Sequence, residues 1–233
     1  MATLTAKGLE RRNDILAAAD ELFRKNGYEN TTLRMIAQEV HISCGHLEHY
    51  FKEKKDLIYN LSEILIQNIW DTSILICRDW EDDPYVIYAF AVHWLFLVCS
   101  HLPDVRHITF EYVKYLDNQL AFSERFARHF IEILDSDETD TARIQTAVNM
   151  SFSAQLCCLQ RYNDQSFSDE IARQTSYDHI RILFLLLGHS TERAEQISLL
   201  VCEKIDSYTI ERLTKPFSKT YRWYQIEGHS FEF

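Results

Sequence analysis

Apolar residues recur at helical intervals along nearly the whole chain, with little of the strict alternation that a strand needs. Ile15, Ala19, Leu22 and Phe23 share one face of a first helix predicted from about Leu9 to Asn26, after a loose arm over 1–8. Gly27 stands just past its end, where a left-handed backbone is needed. Thr31 is expected to cap a short helix over 32–40, with Ile36, Ala37 and Val40 facing inward and Ile42 filling the turn that follows. Ser43 then caps a second short helix carrying Leu47 and Phe51 four residues apart, and these six apolar residues make a miniature core. Residues 54–82 hold neither Gly nor Pro, and Leu57, Ile58, Leu61, Leu65, Ile69, Trp70, Ile76 and Trp80 repeat at helical spacing. That predicts a rod about 40 Å long at 1.5 Å per residue.

Asp82-Asp83-Pro84 stops the rod and starts another helix over 84–101, with Asp83 as its cap and Pro84 at the first helical position. This helix is apolar almost all round and is therefore expected at the centre of the body. Leu102-Pro103 ends it, and two aromatic-rich helices follow at about 104–117 and 119–135. An acidic loop at 136–141 leads into a helix to about 162, on which Ala147, Ser151, Ala154 and Cys158 keep part of the surface small. Ser168 caps a helix ended by Gly188, and a last amphipathic helix is expected over 191–213. Residues 216–233 carry Phe217, Tyr221, Trp223, Tyr224, Phe231 and Phe233 without an assignable structure, and are expected to dock on the body or across a dimer. Five glycines and three prolines in 233 residues agree with an all-α fold.

Two short helices joined by a tight turn over their own small core are the unit that lays its second helix in a DNA major groove. Cys44, Gly45, His46, Glu48 and His49 face outward, with Tyr50 at the edge, and are the candidate DNA-reading positions. Gly45 costs about 1 kcal/mol relative to alanine inside a helix. Close approach of the helix backbone to DNA would account for that cost. Glu48 either accepts from a cytosine amino group or is a solvated surface acid. His46 and His49 have the spacing of half a metal site, but no neighbouring acid or cysteine completes a ligand set, so no metal is expected. If both imidazoles face phosphate or bases, DNA affinity rises as pH falls through about 6.5.

Through Asn26-Gly27-Tyr28, Thr31-Thr32, Ile36-Ala37, Ser43, Gly45, Leu47, Tyr50-Phe51-Lys52 and Lys55-Asp56-Leu57, residues 9–60 resemble the N-terminal domain of TetR-family transcriptional regulators. The remainder resembles them only in length and helical character. The resemblance implies a three-helix helix-turn-helix domain over 1–53, a larger helical ligand-binding and dimerisation domain over 54–215, and a tail over 216–233. It implies phosphate contacts from the start of the 32–40 helix, where Thr31, Thr32 and Arg34 stand, and from Tyr50, Lys52 and Lys55; Thr31 is equally readable as a simple cap. Three positions depart from the family pattern. His41 occupies a turn that usually holds Gly and needs a positive φ, which His tolerates at a cost of about 1 kcal/mol. His46 replaces Thr or Ser and Glu48 replaces Tyr, so base preference does not carry over. The family's effector pocket lies among the helices after the rod, which makes Trp70, Phe90, His93, Trp94, His101, His107, Phe110, Asn149 and Phe152 the ligand-binding candidates; for each, a satisfied core side chain is the competing reading. The helices near 141–162 and 168–187 are expected to pack against their twins in a second subunit, with intramolecular packing as the alternative.

The formal net charge of −11 opposes nucleic-acid binding only if it is evenly spread. Residues 1–55 carry nine Lys or Arg against eight Asp or Glu, so the acidity resides in the remainder. Six cysteines without a Cys-x-x-Cys spacing, and no secretory signal, suggest a reduced, cytoplasmic setting. The apolar run at 85–99 is interrupted by His93 and reads as too short to span a bilayer, so no membrane partner is expected. The leading reading is a homodimeric regulator, a repressor released from a palindromic double-stranded DNA operator by an unknown small-molecule effector. A second is a DNA-binding dimer without an effector, controlled by a protein partner or by abundance. A third, an all-helical enzyme, lacks Glu-x-x-His pairs, a His-Glu-x-x-His motif, a phosphate-binding glycine loop and a Gly-x-Ser-x-Gly elbow, so no catalytic residues and no cofactor are expected. Redox sensing through Cys157-Cys158 is disfavoured, because adjacent cysteines pair with strain. Abundant aromatics in an acidic body lean towards a flat, apolar, cationic effector.

Overall fold

The computed structural model describes residues 5–78, 80–114, 116–134, 138–159, 167–209 and 211–212. Among these residues every regular element is a helix: α1 (Ala6–Asn26), α2 (Leu33–Glu39), α3 (Cys44–Glu48), α4 (Lys54–Arg78), α5 (Pro84–His101), α6 (Pro103–Val113), α7 (Leu116–Leu134), α8 (Glu138–Leu159), α9 (Asp169–Leu186) and α10 (Thr191–Asp206).

Local capping chemistry sets most of the boundaries. The Thr5 hydroxyl accepts from the Gly8 N–H at 3.2 Å, which draws residues 6–8 into α1 instead of leaving them in a loose arm. Gly27 ends α1 with φ 81°, its N–H donating to the Phe23 carbonyl. The Asp83 carboxylate accepts from the Tyr85 N–H at 2.8 Å ahead of Pro84, and Ser168 and Ser190 cap α9 and α10. Gly188, with φ 82°, follows α9. Three boundaries differ from expectation. α4 stops at Arg78 rather than 82, because the N–H groups of Trp80 and Glu81 both turn back to the Cys77 carbonyl. α8 begins at Glu138, so part of the expected acidic loop is its first turn. α10 ends at Asp206, where Ser207 directs both its N–H and its hydroxyl into the last turn. The aromatic tail, 216–233, lies outside the described residues.

α1, α2 and α3 form a small head on the N-terminal end of α4, and the remaining helices form the body. Every residue of α5 from Val86 to Cys99 is buried, and α4, α6, α7, α9 and α10 pack around it. At 18 residues α5 is long and apolar enough to cross a membrane by length and composition, so the expectation that this segment is too short does not hold. Its place at the centre of the body accounts for its composition. The head meets the body through α1 against α4 and α6. There Arg12 bonds the Asn60 side-chain oxygen and lies over the Phe51 ring, while Lys114 pairs with Glu29 at 3.8 Å.

Candidate nucleic-acid interface and body core

The turn between α2 and α3 is built from the residues that predicted it. Ile36, Ala37, Leu47 and Phe51 are buried, with Val40 and Ile42 half-buried against them. His41 has φ 55°, and the Ile42 N–H reaches the Ala37 carbonyl across the turn. The Ser43 hydroxyl accepts from the His46 N–H at 3.2 Å, capping α3. α3 is only five residues long, so this cap and the packing of Leu47 carry most of its order.

One DNA-binding candidate is corrected. Thr31 is fully buried, its hydroxyl donating to the Gly27 carbonyl at 2.9 Å with the Leu22 carbonyl at 3.1 Å, so it closes the end of α1 and has no path to a phosphate. Thr32 is the cap of α2, accepting from the Met35 N–H at 3.2 Å, and it is exposed, as is Arg34. On α3, Gly45, His46 and Glu48 are exposed, and so is His49 at its end; Cys44 is half-buried beneath them. Tyr50 is half-buried with its ring 5.8 Å from that of His46. A Cβ placed on Gly45 meets nothing within 4 Å, so the chain itself gives no steric reason for glycine there. Lys52 is exposed; Lys55 pairs with Glu53 at 2.8 Å at the surface, an interaction that raises its pKa. Lys54 is used internally, donating to the Tyr28 carbonyl at 2.8 Å with its ammonium over the Tyr28 ring.

The nine ligand-binding candidates do not form one site. Trp70 and Phe152 are fully buried and both pack on Phe126, with ring centroids 5.8 and 4.8 Å from it. Phe90 and Trp94 are buried on α5 with ring centroids 6.2 Å apart. Asn149 is half-buried and accepts from Ser123 at 2.8 Å and Gln145 at 3.1 Å, a satisfied polar group. His101 is half-buried against the Asp169 carboxylate at 2.8 Å, and Phe110 packs on Phe167. His107 is the clearest misplacement: its Nε2 lies 3.9 Å from where a Gly27 Cβ would stand, so it belongs to the joint between α6 and the head, not to the interior of the body.

The sequence pattern named His93 and Phe152 but missed the buried histidine of α9 that lies with them at the polar centre of the body. His179 on α9 is fully buried, stacked on Tyr88 with the Tyr88 hydroxyl 2.8 Å from its Nε2, and its ring centroid is 4.2 Å from that of Phe152. His93 Nδ1 lies 2.5 Å from the Ser176 hydroxyl. Burial pushes the pKa of both imidazoles down to about 3, assisted by Arg173 at His93 and by the mutual repulsion of the two histidines at His179, so both are neutral at pH 7. The signal was present in α9: Ala172, Ser176, His179 and Leu183 fall on one stripe, and two of the four are polar. Buried polar atoms without a hydrogen-bond partner include Asn68 Nδ2, Trp70 Nε1 and Thr72 Oγ1 on α4 and the Tyr112 hydroxyl on α6. Among the described residues the buried charged residues are Arg106 and Arg125, and single carboxylate oxygens of Glu63 and Glu111 are buried as well. Cys157 and Cys158 lie outside the residues whose side chains the structure describes.

Residues 15–60 match the family model for bacterial regulatory proteins of the tetR family. The HTH-type transcriptional regulator HbdR of Aromatoleum sp. (strain CIB) is 38% identical over 63 residues, 27% of this chain and 26% of HbdR. An HTH-type transcriptional regulator of Staphylococcus aureus (strain USA300) is 35% identical over 79 residues, 34% of this chain and 40% of the relative. The chain thus matches between about a quarter and two fifths of the length of these curated relatives. Two solved structures share the fold over most of the chain. Thermus thermophilus FadR, a TetR-family repressor in complex with lauroyl-CoA, aligns with a TM-score of 0.58 at 20% identity over 76% of this chain and 93% of its own. RolR in complex with resorcinol aligns with a TM-score of 0.59 at 16% identity over 83% of this chain and 96% of its own. The head over residues 15–60 thus matches the tetR family of bacterial regulatory proteins, and the helical body behind it shares its fold with those structures.

Proposed function

We propose that the protein is a cytoplasmic, homodimeric DNA-binding transcriptional regulator, a repressor that leaves a palindromic operator when a small molecule binds in its body. The observation that carries this reading is the outward face of α3, where Gly45, His46, Glu48 and His49 are all exposed above a capped, packed turn. Cys44, Tyr50 and Ser43 border that face. In this reading Thr32, Arg34, Lys52 and Lys55 hold the phosphate backbone, which sets register without reading sequence. Head and body divide near residue 53, where the chain enters α4 without a flexible linker.

Dimerisation is supported by the outer faces of α8 and α9. Ala142, Thr146, Met150 and Ala154 recur every fourth residue on α8 and are exposed, Met150 by 55%; Leu185 is 51% exposed on α9. Apolar surface of this kind on adjacent helices suits a bundle of four with a second copy. Effector control is supported by the unpartnered Asn68, Trp70 and Thr72 on α4, the helix that runs from the body into the head. A ligand bonding there shifts the orientation of α4 only if it binds one arrangement of head and body more tightly than the other. FadR and RolR, with lauroyl-CoA and resorcinol bound, lend the reading further support.

A gel-shift assay with the DNA upstream of the protein's own gene, together with light scattering on the purified protein, tests the proposal. Sequence-dependent retardation by a dimer at moderate salt is expected. A monomer, or retardation equal to that of random DNA, overturns it.

A further inference from the structure

We propose that the tail beyond Arg212 folds back along the outer face of α10 in its own chain, its aromatic rings on Leu199 and Leu200 and its basic side chains among the carboxylates of that face. The surface lies away from α3, and the proposal is independent of whether the body takes an effector.

α10 buries Ala194, Ile197, Ser198, Val201 and Ile205 against α5 and α9 and turns its other side to solvent. Leu199 is 65% exposed, more than any other large apolar side chain among the described residues, and Leu200 beside it is exposed as well. The charged side chains exposed on this helix are Glu192, Glu195, Glu203 and Asp206, all of them acidic. Glu195 accepts from the Tyr177 hydroxyl and Asp206 pairs with Arg173, both on α9. Glu203 stands one turn beyond Leu199 on the same face. The two bases of α10 are turned aside: Arg193 reaches Asp83 at 3.3 Å, and the Lys204 ammonium lies over the Trp80 ring. The face is an apolar pair set among carboxylates, and it suits an occupant that brings aromatic and cationic groups together.

A second copy in twofold contact would set these carboxylates against their own twins, and DNA would set phosphates against them; both repel. The chain's own continuation has the complementary chemistry. Residues 213–226 hold Lys215, Lys219 and Arg222 without an acid, and Phe217, Tyr221 and Trp223 are interleaved with them. The continuation also starts in the right place. Tyr208 packs on the core just past α10, and the Arg212 guanidinium lies over its ring at 5.0 Å, which holds the exit of the chain close to the helix. Leu199 stands seven residues before Asp206, about 10 Å along the axis. About four extended residues cover that distance. Burial of Leu199 beneath the rings drives the contact, and charge selects the surface.

The test uses the full chain. Trypsin cleavage after Lys219 and Arg222 is expected to run about fivefold faster in Leu199→Ser and in Glu203→Gln than in the parent. Both substituted side chains are exposed, so urea midpoints should not change. Added salt should speed cleavage of the parent more than that of E203Q. Carbodiimide coupling, which joins an amine to a carboxylate as an amide with loss of water, is expected to link Lys215 or Lys219 to Glu192 or Glu203. In protein refolded from an equal mixture of nitrogen-14 and nitrogen-15 chains, the two linked peptides should carry the same label. Mixed labels assign the tail to a second copy, links to another surface give it a different seat, and equal cleavage rates in parent and variants give it none; each overturns the proposal. Protection that arises only when DNA is added overturns it as well, by assigning the basic tail to phosphate.

Discussion

The head and the body differ in where their leftover polar chemistry sits. In the head, Thr31 closes α1, Thr32 and Ser43 cap α2 and α3, and Lys54 is tied to the Tyr28 carbonyl; what remains, at His46, Glu48 and His49, faces outward. In the body the unpartnered atoms of Asn68, Thr72 and His93 face inward. Water satisfies a surface group without cost, whereas a buried one left unpaired costs about 1–3 kcal/mol. The head is therefore complete as folded and offers its surplus to something large outside. The body carries a deficit that something small can relieve.

The largest effect should come from the aromatic centre that holds the inward groups in place. Phe152 is fully buried, with the rings of Phe122, Phe126 and His179 at 5.6, 4.8 and 4.2 Å. Phe152→Ala is expected to cost about 3–5 kcal/mol in urea unfolding. The contrast between the regions breaks if the folded fraction of this variant loses DNA affinity as severely as it loses stability.

Acid should distinguish the regions next. His93 and His179 have folded-state pKa values of about 3, lowered by burial from 6.5. Between those values the unfolded chain binds protons that the folded chain refuses, so the stability these groups contribute is present above pH 6.5 and is lost as pH falls towards 3. The two together predict a loss of about 3 kcal/mol between pH 6.5 and 5. Urea midpoints across that range measure it, and His179→Phe should remove about half of the slope.

The same contrast explains what the sequence made legible. Helix ends could be read because their determinants are local: Asp83 before Pro84, Ser43 two residues after His41, and Gly27 and Gly188 at positive φ all act within one turn. The outward face of α3 could be read because exposure follows from which residues are apolar. Thr31 and Thr32 are chemically equivalent neighbours, and only the approach of α1 decides that the first is buried and the second caps. His107 was placed in the body because periodicity gives a face but not the partner that the face meets, and α6 turns out to reach the head. For the same reason His179 escaped notice: its significance depends on Tyr88, 91 residues away.

Smaller effects sharpen the comparison from the side of the head. Ser43→Ala removes the hydroxyl that accepts from the His46 N–H. It should cost about 1 kcal/mol of stability. Because the lost bond orders the very turn that presents His46, DNA affinity should fall more than body stability, which leaves ligand binding unchanged when followed by calorimetry. Equal losses in both regions would mean that head and body are not separable in energy.

Gly45→Ala gives the smallest change and the most discriminating one. Gly45 lies in α3 without a positive φ, and an added Cβ meets nothing within 4 Å. Inside the chain the substitution is therefore free of clashes, and it should stabilise the head by about 0.5–1 kcal/mol through helix propensity. If α3 presses its backbone against DNA, the added methyl group occupies space that the duplex needs, and affinity for the operator falls while stability rises. A packing defect lowers both quantities and a neutral surface site lowers neither, so opposite signs in urea unfolding and DNA titration isolate an external surface as the reason for glycine at this position. An alanine variant that is more stable and binds DNA as tightly as the parent would show that the exposed side of α3 is ordinary solvent-facing surface.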